Sequence, residues 1–182
     1  GNYNTALGTN ALTGVITASD ISSNTAIGFQ ALTAAITGAD DNTAVGYNAL
    51  LANTTGNNNT AIGLSAFKDV TTGSRNTAVG HKTGWGITTG NNNTILGGNV
   101  NGLSPTLSGY IIIAAGDGTQ RIVVDNSGNL GVGIFSPVSK IDATGGTVTA
   151  DNWNGTGSTP RLSFGGIQVA EKINVNKISY AG

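Results

Sequence analysis

Apolar residues along this chain fall into short clusters, and the clusters return on a fixed beat. Asn4-Thr5-Ala6-Leu7-Gly8 recurs as Asn24-Thr25-Ala26-Ile27-Gly28, Asn42-Thr43-Ala44-Val45-Gly46, Asn59-Thr60-Ala61-Ile62-Gly63, Asn76-Thr77-Ala78-Val79-Gly80 and Asn93-Thr94-Ile95-Leu96-Gly97. The starts are 20, 18, 17, 17 and 17 residues apart. A second apolar pair stands three residues after the Gly in the first four units: Ala11-Leu12, Ala31-Leu32, Ala49-Leu50 and Ala66-Phe67. Polar closers follow, such as Thr55-Gly56-Asn57-Asn58, Thr72-Gly73-Ser74-Arg75 and Thr89-Gly90-Asn91-Asn92.

Thr, Val and Ile are stiff at χ1 and favour extended backbone. The recurring Gly and the Asn-rich closers supply positive φ where the chain must turn. No sustained helical stripe runs through the first 100 residues. Each unit is therefore expected to be two short strands with two corners. Strand neighbours sit ~4.8 Å apart, so the stacked units rise by roughly 30 Å along one axis. The fold class expected is all-β: a repetitive β-solenoid, or an interwound trimeric β-helix or β-roll, followed by a β-meander.

Alternation within Asn-Thr-Ala-Ile-Gly puts Thr and Ile on one face and Asn, Ala and Gly on the other. The apolar-inside rule then makes Leu7, Ile27, Val45, Ile62, Val79 and Leu96 the repeat core, joined by Leu12, Leu32, Leu50 and Phe67. The small-residue face is left free for another backbone to approach. Asn4, Asn24, Asn42, Asn59, Asn76 and Asn93 are expected to stack as a hydrogen-bonded ladder.

The beat changes after Gly98. The array spans 1–98. Residues 99–108, with the first Pro at Pro105, are expected to be a linker. Residues 109–182 are expected to be a meander and strand-turn region. Its strands are Tyr110-Ile111-Ile112-Ile113-Ala114, Gln120-Arg121-Ile122-Val123-Val124 and Leu130-Gly131-Val132, with turns at Gly116-Asp117-Gly118 and Asp125-Asn126-Ser127-Gly128. Further on, the alternation at Ile173 and Val175 favours a strand over a helix in 169–177.

These motifs resemble the repeats of phage tail fibres and related surface proteins. They are more distantly similar to the Ala-Ile-Gly repeats of trimeric autotransporter adhesin heads. The run from Asp125 to Gly133, continuing to Ser136-Pro137 and Lys140-Ile141-Asp142, resembles the segment that often precedes an endosialidase-type intramolecular chaperone. Ala150-Asp151-Asn152-Trp153-Asn154-Gly155-Thr156-Gly157 fits the same family. The resemblance implies a homotrimeric, extracellular fibre or appendage segment, interwound and structural.

Composition narrows the function classes. Only 9% of the 182 residues are charged, eight basic against nine acidic, so no basic stripe exists for nucleic acid. No stretch is apolar and long enough to span a membrane as a helix. There is no Cys, hence no disulfide or thiolate metal site. There is no Met either, so the chain reads as a processed product or excised region.

Candidate chemistry is sparse. The one His, His81, has neither a Cys nor a triad partner in any motif. Gly131-Val132-Gly133 imitates a dinucleotide fingerprint, but Ser136 replaces the third Gly and Pro137 stops a helix. Asp117, Asp125, Asp142 and Asp151 lie at separate turns and Asp40-Asp41 are adjacent in a closing loop; neither group has an EF-hand spacing, and turn capping is their expected task. The two glycosylation sequons, at Asn53 and Asn154, are no more than so Asn- and Thr-rich a chain produces. No cofactor, no metal and no catalysis are expected. Phe29, Tyr47, Trp85 and Trp153 are rings that could stack on sugars. The place singled out is Trp85 with His81 and Lys82, where the Ala-Leu pair is missing.

Partners expected are copies of the chain itself, as a homotrimer or higher filament, and a host-surface glycan or receptor. Two alternatives stand beside the shaft: an adhesin head binding matrix or glycan, and an ice-binding solenoid. Against the latter, the regularly spaced Thr residues share the face expected to be buried.

Overall fold

The computed structural model describes residues 3–14, 21–35, 38–138 and 140–142. The strand expected within 169–177, Trp153, and the Ala150–Gly157 motif lie outside them. Ten short strands appear, and no helix among the described residues: β1 (Thr5–Leu7), β2 (Thr25–Ile27), β3 (Thr43–Val45), β4 (Thr60–Ile62), β5 (Thr77–Val79), β6 (Thr94–Leu96), β7 (Ile111–Ala114), β8 (Gln120–Val124), β9 (Leu130–Val132) and β10 (Ile141–Asp142). They form one sheet in chain order.

β1 to β7 are parallel and in strict register, Thr5 on Thr25, Ala6 on Ala26, Leu7 on Ile27, and so on to Leu96 on Ile113. Each coil bonds to the next coil of the same chain, so the array is a β-solenoid wound by one chain. β7, β8 and β9 then pair antiparallel, and β10 runs parallel to β9. A bulge between Ile113 and Ala114 sits at the first of these reversals.

The faces of the solenoid strands are the reverse of those expected. Ala26, Ala44, Ala61, Ala78 and Ile95 point inward and are fully buried. Leu7, Ile62, Val79 and Leu96 point outward, 66, 41, 37 and 37% exposed, and Ile27 and Val45 are half-buried. These six residues are not the core. The coil is too narrow for a branched side chain at every strand. Its interior is filled from the opposite wall by Leu12, Leu32, Leu50 and Phe67, which are buried and face the small Ala column.

That opposite wall is not a second strand. Backbone there passes through the left-handed region at alternate residues, such as Gln30 and Leu32 or Asn48 and Leu50, with φ between 49° and 56°. Left-handed φ is unusual for Leu and costs ~1–2 kcal/mol. Burial of the whole side chain offsets it. The wall still bonds along the axis: Leu32 N–H donates to Ala49 O and Leu50 N–H to Ala66 O.

The repeated Gly is set by two constraints at once. Gly28 has φ +127°, and a Cβ there would come within 2.6 Å of the Gly46 carbonyl oxygen. Neither the angle nor the space accepts another residue.

The segment expected as a linker, 99–108, is the last coil. Val100, Leu103 and Leu107 are buried. Its carbonyls take N–H groups from the coil below: Gly84 to Val100 at 2.8 Å and Thr88 to Pro105 at 2.9 Å. The N–H that Pro105 lacks is the one that would reach towards a further coil.

Candidate functional surface

Three polar ladders hold the coils in register. In the first, Asn Oδ1 accepts the backbone N–H of the Asn one coil on: Asn24 to Asn4, Asn42 to Asn24, Asn59 to Asn42, Asn76 to Asn59 and Asn93 to Asn76, at 2.9–3.0 Å. Each Nδ2 turns across its own coil, as Asn59 does to Gly73 O at 2.8 Å. Asn24, Asn42, Asn59, Asn76 and Asn93 are fully buried, and Asn4 is half-buried at the first rung. Tyr110 ends the series by donating its N–H to Asn93.

The second ladder has no counterpart among the sequence expectations. Ser22 N–H donates to Asp40, Asp40 to Asn57, Asn57 to Ser74, Ser74 to Asn91 and Asn91 to Ser108, each to a side-chain oxygen. It runs opposite to the Asn ladder, with the acceptor always on the later coil. The signal was a column of short oxygen-bearing side chains two residues before each Asn. A third ladder links Thr54, Thr71, Thr88 and Pro105, where each Thr hydroxyl and N–H donates to the next carbonyl.

The surface these ladders present is the outward face of the sheet. One column runs Leu7, Ile27, Val45, Ile62, Val79, Leu96, Ile113, Ile122, Val132 without a polar break. Beside it runs Thr5, Thr25, Thr43, Thr60, Thr77, Thr94, and then Ile111, Val124, Leu130. The Thr column therefore turns aliphatic at β7. A third column flanks the coils, with Phe29 and Tyr47 stacked at 5.1 Å, then Leu64 and His81, all exposed. Neither of the first two columns contains a charged residue. The small-residue face, expected to receive another backbone, is instead the interior.

The site singled out around Trp85 is assembled but occupied. Gly84 stands where the buried Leu should be, and a Cβ there would strike the Phe67 ring, which fills the missing volume. Half-buried Trp85 donates its indole N–H to Ser65 O at 2.6 Å. Lys68 and Lys82 lie 4.9 and 5.2 Å from its ring centroid. Lys68 also pairs with Asp69 at 3.7 Å, and Asp69 accepts the Gly86 N–H. The ring is thus engaged by two ammonium groups from within the chain. His81 is exposed one column away.

No group of three or more metal-binding side chains exists among the described residues. Asp117 and Asp125 serve as turn caps. The backbone N–H of Thr119 holds the Asp117 carboxyl below its ordinary range, and that of Asn129, at 2.8 Å, does the same for Asp125. No family model matches the chain, and neither a curated protein nor a solved structure matches it.

Proposed function

We propose that the chain is a structural, non-catalytic shaft segment of an extracellular fibre or surface appendage, and that it assembles with copies of itself as a homotrimer. The observation that carries this is the unbroken aliphatic column on the outward face, from Leu7 to Val132. A solvated strand has no need to repeat an exposed branched apolar residue at every rung. Strands β1 to β9, ~4.8 Å apart and about 10 Å wide, make a face of roughly 400 Å², which the flanking column of Phe29, Tyr47, Leu64 and His81 extends towards the ~800 Å² per partner of a specific interface. An unbroken, uncharged column held in register from coil to coil is best matched by another such column. The count of three rests on the resemblance of the repeats to those of trimeric fibres and adhesin heads.

Sedimentation equilibrium of the whole chain tests it. The expected mass is three times 18.1 kDa. A folded monomer at micromolar concentration overturns the reading.

One observation favours a second reading. The Thr column faces outward, which removes the argument against ice binding. An array of hydroxyls at strand spacing beside aliphatics suits ordered water. Freezing hysteresis in the purified protein would favour that reading, and its absence leaves the face to self-association.

A further inference from the structure

We propose that assembly is seeded by the meander, β7 to β9, and that the Thr-lined coils close afterwards. The inference rests on the self-association reading above and adds a direction to it. Six outward aliphatics serve six strands in β1 to β6, one per strand: Leu7, Ile27, Val45, Ile62, Val79 and Leu96. In β7 to β9, six serve three strands: Ile111, Ile113, Ile122, Val124, Leu130 and Val132. The apolar density of the face doubles at the point where the Thr column ends.

Density matters because drying is collective. An aliphatic column beside hydroxyls keeps water on one flank, since each Thr oxygen must stay hydrogen-bonded or lose several kcal/mol. Two adjoining aliphatic columns have no such requirement and can exclude water as one patch. The meander is also firmly backed. Ile112 and Val123 on its inner side are fully buried, and the Tyr110 and Phe135 rings stack at 5.8 Å. Its outer face is therefore rigid before any partner arrives, and little ordering cost remains. The occupant is the same patch of the other copies in the trimer, in parallel alignment, because that arrangement sets meander level with meander and Thr-lined coils level with Thr-lined coils along the whole sheet.

Matched isosteric changes test the direction. Val124→Thr with Val132→Thr alters the meander, and Val45→Thr with Val79→Thr makes the same chemical change in the coils. All four residues face outward. Assembly of the full chain is followed by light scattering after dilution from denaturant, with far-UV circular dichroism to confirm folding. The meander pair is expected to slow assembly at least about 10-fold, and the coil pair less than ~3-fold with faster dissociation instead. Equal slowing by both pairs, or greater slowing by the coil pair, overturns the proposal. A wild-type chain that never assembles overturns the self-association reading itself, so the two failures are distinct. Should the meander pair not fold, Val124→Thr alone is compared with Val79→Thr alone on the same scale.

Discussion

The inner and outer faces of the same strands are equally repetitive, yet for different reasons. Inward, Asn, Ala and Gly are dictated by the coil: Asn59 bonds two neighbouring rungs, Ala61 fits a narrow interior, and Gly63 has φ +133° against the next coil's backbone. Outward, nothing within the chain asks for Thr60 and Ile62 beyond strand propensity. On the self-association proposed above, that outward repeat is what a neighbouring copy would meet. Inner substitutions should therefore break the chain, and outer ones should alter only what it meets.

The largest effect is expected at the ladder. Asn59→Ala removes the acceptor for the Asn76 N–H and the donor to Gly73 O, both buried. Two orphaned buried groups cost about 1–3 kcal/mol each, so a loss of roughly 2–6 kcal/mol is expected in chemical denaturation. A loss under ~1 kcal/mol would mean that the ladder is incidental.

A sharper contrast comes from placing the same residue on either face. Ala61→Thr forces a larger, polar side chain into a fully buried site and is expected to cost about 2–3 kcal/mol. Ile62→Thr, one residue on, is expected to leave the circular dichroism spectrum unchanged and to weaken assembly, seen as a lower melting temperature at low protein concentration. If both changes destabilise the chain alike at every concentration, the two faces are not distinct in the way described.

The alternation itself was legible in the sequence, but its phase was not. Period two separates Thr and Ile from Asn, Ala and Gly; it does not say which set is inside. The apolar-inside rule misassigned Leu7, Ile27, Val45, Ile62, Val79 and Leu96, because coil width rather than hydrophobicity decides here. A corrective signal was present. Thr9, Phe29, Tyr47, Leu64, His81 and Gly98 follow the invariant Gly and vary freely, as surface positions do. They share parity with Thr and Ile. The coil at 99–108 was hidden because its Ala-Leu pair is gone, although 17-residue spacing still carries Thr88 to Pro105 and Asn93 to Tyr110. Around Trp85 the sequence marked a break in the repeat and left its cause unseen, since Phe67 compensates from the coil below.

That compensation gives a smaller effect. Phe67→Leu restores the residue used at Leu32 and Leu50, yet leaves Gly84 uncovered. A cost of about 1–2 kcal/mol is expected from the resulting cavity. A neutral outcome would show that Trp85 and its lysines can settle into the space instead.

The smallest effect belongs to the meander turn, and it tests whether the dense end of the outward face is held by charge as well as by packing. Asp125 accepts from the N–H groups of Asn129 and Ser127 and from the Asn129 side chain. These bonds, with the nearby Lys140 charge, keep its carboxyl ionised below the ordinary range. A depressed folded-state value stabilises the fold above the unfolded-state value, about 3.9, and the benefit is lost as pH falls through that value towards the folded one. Asp125→Asn keeps one acceptor oxygen and removes the charge. The melting temperatures of wild type and variant should differ at pH 7, with wild type higher, and converge as the pH falls through the depressed folded-state value. Asp117, capped by the Thr119 N–H at 2.8 Å, should behave in the same way. A gap between wild type and the Asp125→Asn variant that is independent of pH would place the turn's contribution in hydrogen-bond geometry alone.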